Sequence, residues 1–508
     1  MTLLTERYAT QIAGVLSCFD RIVITGTLVG VCFAEGMANY LRAHGVRLFD
    51  YPRFVEPLRE EIRENAERIA REAGLQIEFI RSVGAFRKED RIKAILGERG
   101  DHPGLVHIFS AMEPCPAFTP WHDKASGKTS LRYKDGKCLH YYFYFIDPEF
   151  GLCYLRVPTW APFRLQFYCN GHNWLAVQLR QAGIAFTQMD NTFSSIADWS
   201  RAQALSDAFP TLRLHQALDG FAARYCPVAA QFGSGYHWSA MQVEYATDIV
   251  FHCQADLRPI YEALVRTAIH AVKADNVATF LGRKLTGAYR DELGNDFSTR
   301  IQGARLKHHM GPVSIKLYDK FGLVLRIETT VNDVSFFRHH RTVEHRDHTA
   351  ETKLAPMQKT IYSLAPLRES LAAANRRYLA FLSDLTDPSA AVRQVERLGE
   401  PIREQDRSYR GFNLFSSADL DLFIALVRGE WHISGLRNSS LRTVLPDRSG
   451  PQVSRLLKRL HLHGLIKKMG HTYKYYLTEA GRRLALTALK LRELVVIPSL
   501  AGLLPANA

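Results

Sequence analysis

VSIKLYDKFGLVLRIETTVND, residues 313–333, alternates apolar and polar side chains with the period of a β-hairpin. Val313, Ile315 and Leu317 fall on one side of the first strand, Ser314, Lys316 and Tyr318 on the other. On the returning strand Leu323, Leu325 and Ile327 oppose Val324, Arg326 and Glu328. The polar set has three readings: a catalytic strand pair, a nucleic-acid cradle, or the solvated face of a sheet. The basic approach NDFSTRIQGARLKHHMG favours the cradle. In that reading Arg326 and Glu328, two apart on one face, form a surface ion pair, while Lys316 and Lys320 touch phosphate.

Outward from the hairpin, the first part of the chain reads as alternating strands and helices. RIVITGTL is a strand, FAEGMANYLRAHG a helix stopped by Gly45, VRLFDY a strand, EPLREEIRENAERIAREAG an amphipathic helix stopped by Gly74, and LQIEFI a strand. That order predicts an α/β layer with a mixed sheet. GLVHIFSAMEP, CLHYYFYFIDPEFGLCYLRVP and RLQFYC add strands, with a turn at Asp147-Pro-Glu-Phe-Gly151. The aromatics between Trp121 and Trp174 suit a core sheet or, in part, a stacking platform for unpaired bases, since Tyr141, Tyr142 and Tyr144 cannot all face inward on one strand. From Trp199 to Val277 the pattern turns helical. The expected division is an α/β domain (1–198), a helical segment plus the basic hairpin (199–350), a helical connector (351–415) and a DNA-binding domain (416–508).

The chain has 508 residues, more than one core usually serves. With 46% hydrophobic and 23% charged residues it reads as a globular protein. No run of about 18 apolar residues is present to span a bilayer, so no membrane partner is expected. The first residues lack the basic segment and apolar core of a secretory signal, which predicts a cytoplasmic protein. Eight cysteines are scattered without a C-x-x-C pair, as buried thiols would be. The balance of 65 Lys and Arg against 51 Asp and Glu gives +14, which favours a polyanionic partner. From Ser416 onward 14 Lys and Arg face 6 Asp and Glu, a net of +8.

That C-terminal stretch reads helix (DLDLFIALVRG), helix (SSLRTVLP), helix (SGPQVSRLLKRLHLHG), then strand, basic turn, strand and helix in LIKKMGHTYKYYLTEAGRRL. Val453, Leu456, Leu457 and Leu460 recur at helical spacing and face inward. Arg455 and Lys458 point away, flanked by Gln452, Ser454 and Arg459, as a major-groove face would. Lys467, Lys468, His471 and Lys474 surround the turn and suit phosphates. SRLLKRLHLHGLIKK followed by YYLTEAGRRL resembles the winged helix-turn-helix of MarR-like bacterial regulators. The resemblance implies double-stranded DNA as partner, with RNA an open alternative and a homodimer one possible use of such a domain. His461-Leu462-His463 lies on the third helix, where residues two apart diverge by about 200°, so it offers no metal pair.

IKLYDK…LRIE is similar to a strand pair of plasmid and phage replication initiator proteins. The resemblance implies Tyr318 as a nucleophile, Lys320 as its activator and Glu328 as a metal ligand or partner of Arg326; no His-hydrophobe-His strand precedes it. A metal-dependent nuclease is a further possibility. Asp20 beside RIVITGTL, Glu113 after GLVHIFSAM, Asp190 after IAFTQM, and Glu328 or Asp333 are acids at or near strand ends, where phosphoryl-transfer sites gather carboxylates around Mg²⁺ or Mn²⁺. His102, His107, His122, His140 and His172 form no metal-binding spacing. Together these features predict a DNA-binding protein of replication, transposition or another mobile-element process. A transcription regulator with a large sensing domain and a metal-dependent nuclease are the alternatives.

Overall fold

The computed structural model describes residues 3–81, 86–283, 297–302, 305–345, 348–385, 397–413, 416–428, 431, 435–470, 472–493 and 497. The chain divides into two compact units, Met1–Thr386 and Asp387–Ala508. No helix among the described residues is long and apolar enough to cross a membrane.

Unit 1 is mixed α/β and is organised by one large mixed sheet. Its strands in chain order are β1 (Ile12–Thr27), β2 (Ile77–Ile80), β3 (Gly104–Asp123), β4 (Lys128–Asp147), β5 (Gly151–Pro158) and β6 (Leu165–Cys169). The short pair β7 (Phe186–Gln188) and β8 (Phe193–Ile196) stands apart, and β9 (His237–Phe251), β10 (Phe297–Gln302), β11 (Arg305–Met310), β12 (Val313–Lys320) and β13 (Val324–Val331) complete the large sheet. The order is β10-β11-β12-β13-β9-β1-β6-β5-β4-β3-β2, and only β2 and β3 pair in parallel. Because β9 lies between β1 and β13, chain on both sides of residue 198 builds one sheet. The expected boundary at 198 thus falls inside this sheet, and both it and the boundary at 350 lie within the unit Met1–Thr386.

The hairpin of residues 313–333 is β12 and β13, reversed at Phe321 and Gly322, both with positive φ. It lies within the sheet rather than on the surface. Val313, Ile315, Leu317, Leu325 and Ile327 are buried on one face beneath the helix Leu364–Leu385. Asn375 of that helix accepts a hydrogen bond from Thr329 Oγ1 at 2.7 Å and donates to the Tyr245 carbonyl at 3.1 Å, so the buried amide is paired. The Asp147–Gly151 turn forms as read: Asp147 accepts from the amides of Glu149 and Phe150, and Gly151 takes φ +68°. VRLFDY departs from its expected strand. Leu48–Asp50 is a 3-10 turn that runs into the helix Tyr51–Glu72, with Pro52 in its first turn. In the Trp199–Val277 region, where the pattern turns helical, β9 occupies fifteen residues.

Unit 2 contains helices Ser417–Leu426, Asn438–Val444, Gly450–Leu462 and Glu479–Leu491, and a hairpin of Ile466–Lys468 with Tyr475–Leu477. Its core gathers Phe423, Leu441, Val453, Leu457, Leu460 and Ile466.

Candidate active site

Cross-strand partners share a face of a sheet, and the registers place Lys316 opposite Glu328, Tyr318 opposite Arg326 and Arg326 opposite Asp248. Thr330 faces Glu244, which in turn pairs with Arg21 of β1. Between Phe19 and Arg21 the β1–β9 register slips by one residue, and the extra residue is Asp20. The slip lets Asp20 reach the same face, as a β-bulge does. The helix Gly171–Gln181 points its first turn there. Asn170 caps it by accepting from the His172 and Asn173 amides, and its own amide donates to Asp20 at 3.3 Å. Gly171 permits this approach, since a Cβ there would lie 2.2 Å from the Phe19 carbonyl oxygen.

The resulting cluster has two halves. In the buried half, Arg326 donates through Nε and Nη2 to the two Asp248 oxygens at 2.6 and 2.7 Å. Its Nη1 lies 3.3 Å from Asp20. Asn191 donates to both Asp20 oxygens at 2.6 and 2.8 Å, Thr192 donates to Asp248 at 2.6 Å, and His172 Nδ1 lies 3.1 Å from Asp20. In the more open half, Tyr318 donates to Glu328 Oε2 at 2.6 Å, while Lys316 Nζ reaches Glu328 at 2.5 Å and Glu244 at 3.2 Å. One carboxylate oxygen from each of Asp20, Glu244 and Glu328 lies within 4.8 Å of the others.

The electrostatics follow from burial and these neighbours. Burial alone would raise the Asp20 and Asp248 carboxyls, but Arg326 and then His172 hold both well below the usual carboxylate range. Glu244 is pushed upward by burial and by the Glu328 carboxylate, against the pull of Lys316. Burial, and next the Arg326 charge, bring the Lys320 ammonium down to about 8. Burial raises the Tyr318 hydroxyl, and Glu328 adds to that rise against Arg326. The four carboxylates Asp20, Glu244, Asp248 and Glu328 thus share their face with Lys316, Lys320 and Arg326, and with Arg21 opposite Glu244. Two buried nitrogens beside Asp20, Arg326 Nη1 and His172 Nδ1, make no hydrogen bond of acceptable geometry.

No known protein family, characterised protein or solved structure matches the chain.

Several sequence-derived site residues stand elsewhere than expected. Arg326 and Glu328 are not a solvated ion pair: both are buried, and each pairs with a different partner. Asp20 and Glu328 converge. Glu113 does not join them; it accepts from Tyr142 at 2.6 Å and Arg156 at 2.9 Å, near Lys88, on the far side of β4 from β5, β6 and β1. Asp190 sits beside the cluster on the β7–β8 loop, its carboxylate largely exposed and 3.9 Å from Lys320. Lys316 and Lys320 lie within the cluster, half-buried and paired with carboxylates, rather than on an open cradle. Glu244, Asp248, His172 and Asn191 were not assigned from sequence. The signal for β9 was the alternation Val243, Tyr245, Thr247, Ile249, which puts Glu244 and Asp248 on one face.

In unit 2, Gln452, Ser454 and Arg455 are exposed, as are Lys467 and Lys468, while Lys474 is half-buried. Lys458 pairs with Glu404 at 2.8 Å. Arg459 leaves the expected outward face: it is buried, donates to both Asp419 oxygens at 2.7 and 3.0 Å and lies 3.7 Å from the Phe412 ring centroid. Leu457 and Leu460 beside it are buried, and the buried Asp419 carboxylate offsets the cost of desolvating the guanidinium. His471 lies outside the described residues.

Proposed function

We propose that this protein binds nucleic acid and cleaves its phosphodiester backbone with a divalent cation, in replication, transposition or another mobile-element process. The observation that carries the reading is the convergence of Asp20, Glu244 and Glu328 within 4.8 Å on one sheet face. The donor set fits a hard cation, which takes carboxylate oxygens. Glu244 is pushed upward by burial and by the Glu328 carboxylate, so a cation bound between them would relieve their repulsion. A bound Mg²⁺ or Mn²⁺ would stabilise charge developing on phosphoryl oxygens.

The chain's own residues divide the remaining work. Arg326 and Asn191 fix the Asp20 carboxylate, and Asp248 fixes Arg326. Lys320 in its charged form and Lys316 attract the phosphate. Tyr318 is the nucleophile: its hydroxyl is held on Glu328 Oε2, which takes the proton as the phenolic oxygen bonds to phosphorus, while the bond from phosphorus to one sugar oxygen breaks and that oxygen leaves as a hydroxyl by taking a proton from water. Unit 2 supports a winged-helix reading of duplex binding. Its three helices precede a two-stranded hairpin, and Gln452, Ser454, Arg455, Lys467 and Lys468 are exposed on the third helix and the first hairpin strand.

Supercoiled plasmid and single-stranded oligonucleotides incubated with Mg²⁺ or Mn²⁺ test the proposal. Nicking that leaves a denaturation-stable protein–nucleic-acid adduct, absent in Tyr318→Phe, is expected. Binding without any cleavage would point instead to a regulator, and cleavage retained in Glu244→Gln and Glu328→Gln would remove the cluster from the chemistry.

A further inference from the structure

The face that carries the three carboxylates continues sideways across β1, β6 and β5. Arg21 shares it with Glu244, Val23 pairs with Tyr168, Thr25 with Gln166, and Tyr154 and Arg156 pair with Tyr168 and Gln166 in turn. The Arg21 guanidinium carbon lies 5.4 Å from the Tyr168 ring centroid, and Tyr168 stacks on Tyr154 at 5.1 Å with planes 11° apart. Arg21, Arg156, Gln166 and Tyr168 are all partly exposed. Among the described residues, neither Arg21 nor Arg164 has a carboxylate within ion-pair distance, and the buried Nε of Arg21 has no hydrogen-bond partner. The strip is therefore aromatic, amide-bearing and positively charged beside a cluster of carboxylates.

At its far end a cavity of about 140 Å³ opens between Trp160, Arg164, Gln166, His140, Thr25 and Met241. A cavity of about 150 Å³ accommodates one benzene-sized ring. Trp160 is half-buried and offers a stacking surface. The Gln166 amide is held only by bonds of 3.5 and 3.4 Å, at the long limit of hydrogen bonding, so its donor and acceptor are available to a ligand. Met241, 51% exposed, flanks the opening. Thr25 is five residues along β1 from Asp20, about 16 Å of strand, a span of a few nucleotides of unpaired chain.

We propose that this strip and cavity hold an unpaired nucleic-acid strand, with one base seated on Trp160, its edge read by the Gln166 amide, and its backbone passing Arg21 toward the carboxylates. Ring, amide and cation are the combination by which single strands are bound, because unpaired bases expose both faces and edges. The direction of the strand rests on the reading of Asp20, Glu244 and Glu328 as the cleavage site; occupancy of the cavity does not.

Anisotropy of labelled single-stranded DNA and RNA, titrated with the full-length chain in a metal chelator, separates the two. Trp160→Ala is expected to weaken binding of the preferred single strand about tenfold. Gln166→Met, close in size to glutamine, is expected to weaken it several-fold. Both should leave duplex affinity, assigned to unit 2, unchanged, and an unaltered thermal unfolding transition of unit 1 reports that the fold carrying the two substitutions is intact. Full single-strand affinity in both Trp160→Ala and Gln166→Met would overturn the proposal, even if cleavage is observed. Loss of affinity in those variants without cleavage by the unaltered chain would uphold the cavity and remove the cleavage reading.

Discussion

Replacing Arg326 by Met tests how the centre of the sheet is held together. The guanidinium is fully buried, bonded through two nitrogens to Asp248 and set 3.3 Å from Asp20. Removing one partner of a buried ion pair costs about 3–5 kcal/mol, because the remaining charge stays desolvated. Unit 1 extends from Met1 to Thr386, and at about 2.1 cal/mol/K per residue its unfolding entropy is about 0.8 kcal/mol/K. The loss therefore corresponds to a fall of about 4–6 °C in Tm. Its pH dependence is the sharper signature. In the unaltered chain both carboxyls are held below their unfolded value, so their stabilisation is fully present above about pH 4 and constant between pH 5 and 8. Without Arg326, burial raises both carboxyls above the unfolded value, the folded state takes up protons as pH falls, and part of the lost stability returns. Calorimetry at pH 8, 6.5 and 5 should show the gap to the unaltered chain narrowing on acidification. Arg326→Lys keeps a charge but not the two-pronged bond, so it should lose less and recover less. A gap below about 1 °C, or one that widens toward pH 5, would refute this account of the cluster.

Other outcomes follow from the same geometry. With the Lys320 ammonium lowered to about 8, its positive form is lost as pH rises through that value, so single-strand cleavage should decline above pH 8; Lys320→Arg should stay level to higher pH. In unit 2, Asp419→Asn leaves the buried Arg459 without its carboxylate and should destabilise the unit by about 3 kcal/mol in denaturant titration. Arg455→Ala, on the exposed face of the same helix, should change stability by less than about 0.5 kcal/mol. It should nevertheless weaken duplex binding and reduce the slope of affinity against salt by about 1 if the side chain contacts a phosphate.

Local pattern made the β12–β13 hairpin legible, since its alternation sets five buried apolar residues against a polar face. The Asp147–Gly151 turn was legible because an Asp side chain and a glycine each have a specific part in it. VRLFDY was misread because its apolar run is short and Pro52 already commits the next residues to a helix. β9 was hidden by helical patterns on both sides. Arg459 was misplaced because periodicity alone assigns a charge outward, while its partner Asp419 is forty residues away. Of the cluster, Asp20 and Glu328 were visible as acids on or beside apolar strands. Their companions were not, because Glu244, Asp248 and His172 are brought in by the β1–β9–β13 register and a helix start packed on β1, and no short stretch of sequence encodes such long-range pairings.

Titration of the full-length chain with Mn²⁺, followed by the loss of the free-ion paramagnetic resonance signal, bears most directly on the central claim. One ion should bind per chain, and the affinity should fall at least tenfold in Glu244→Gln and in Glu328→Gln, each of which removes one of three carboxylate ligands. Equal Mn²⁺ affinity in the unaltered chain and both variants, or no binding at millimolar Mn²⁺, would contradict it and leave the carboxylates as the structural partners of Lys316 and Arg326.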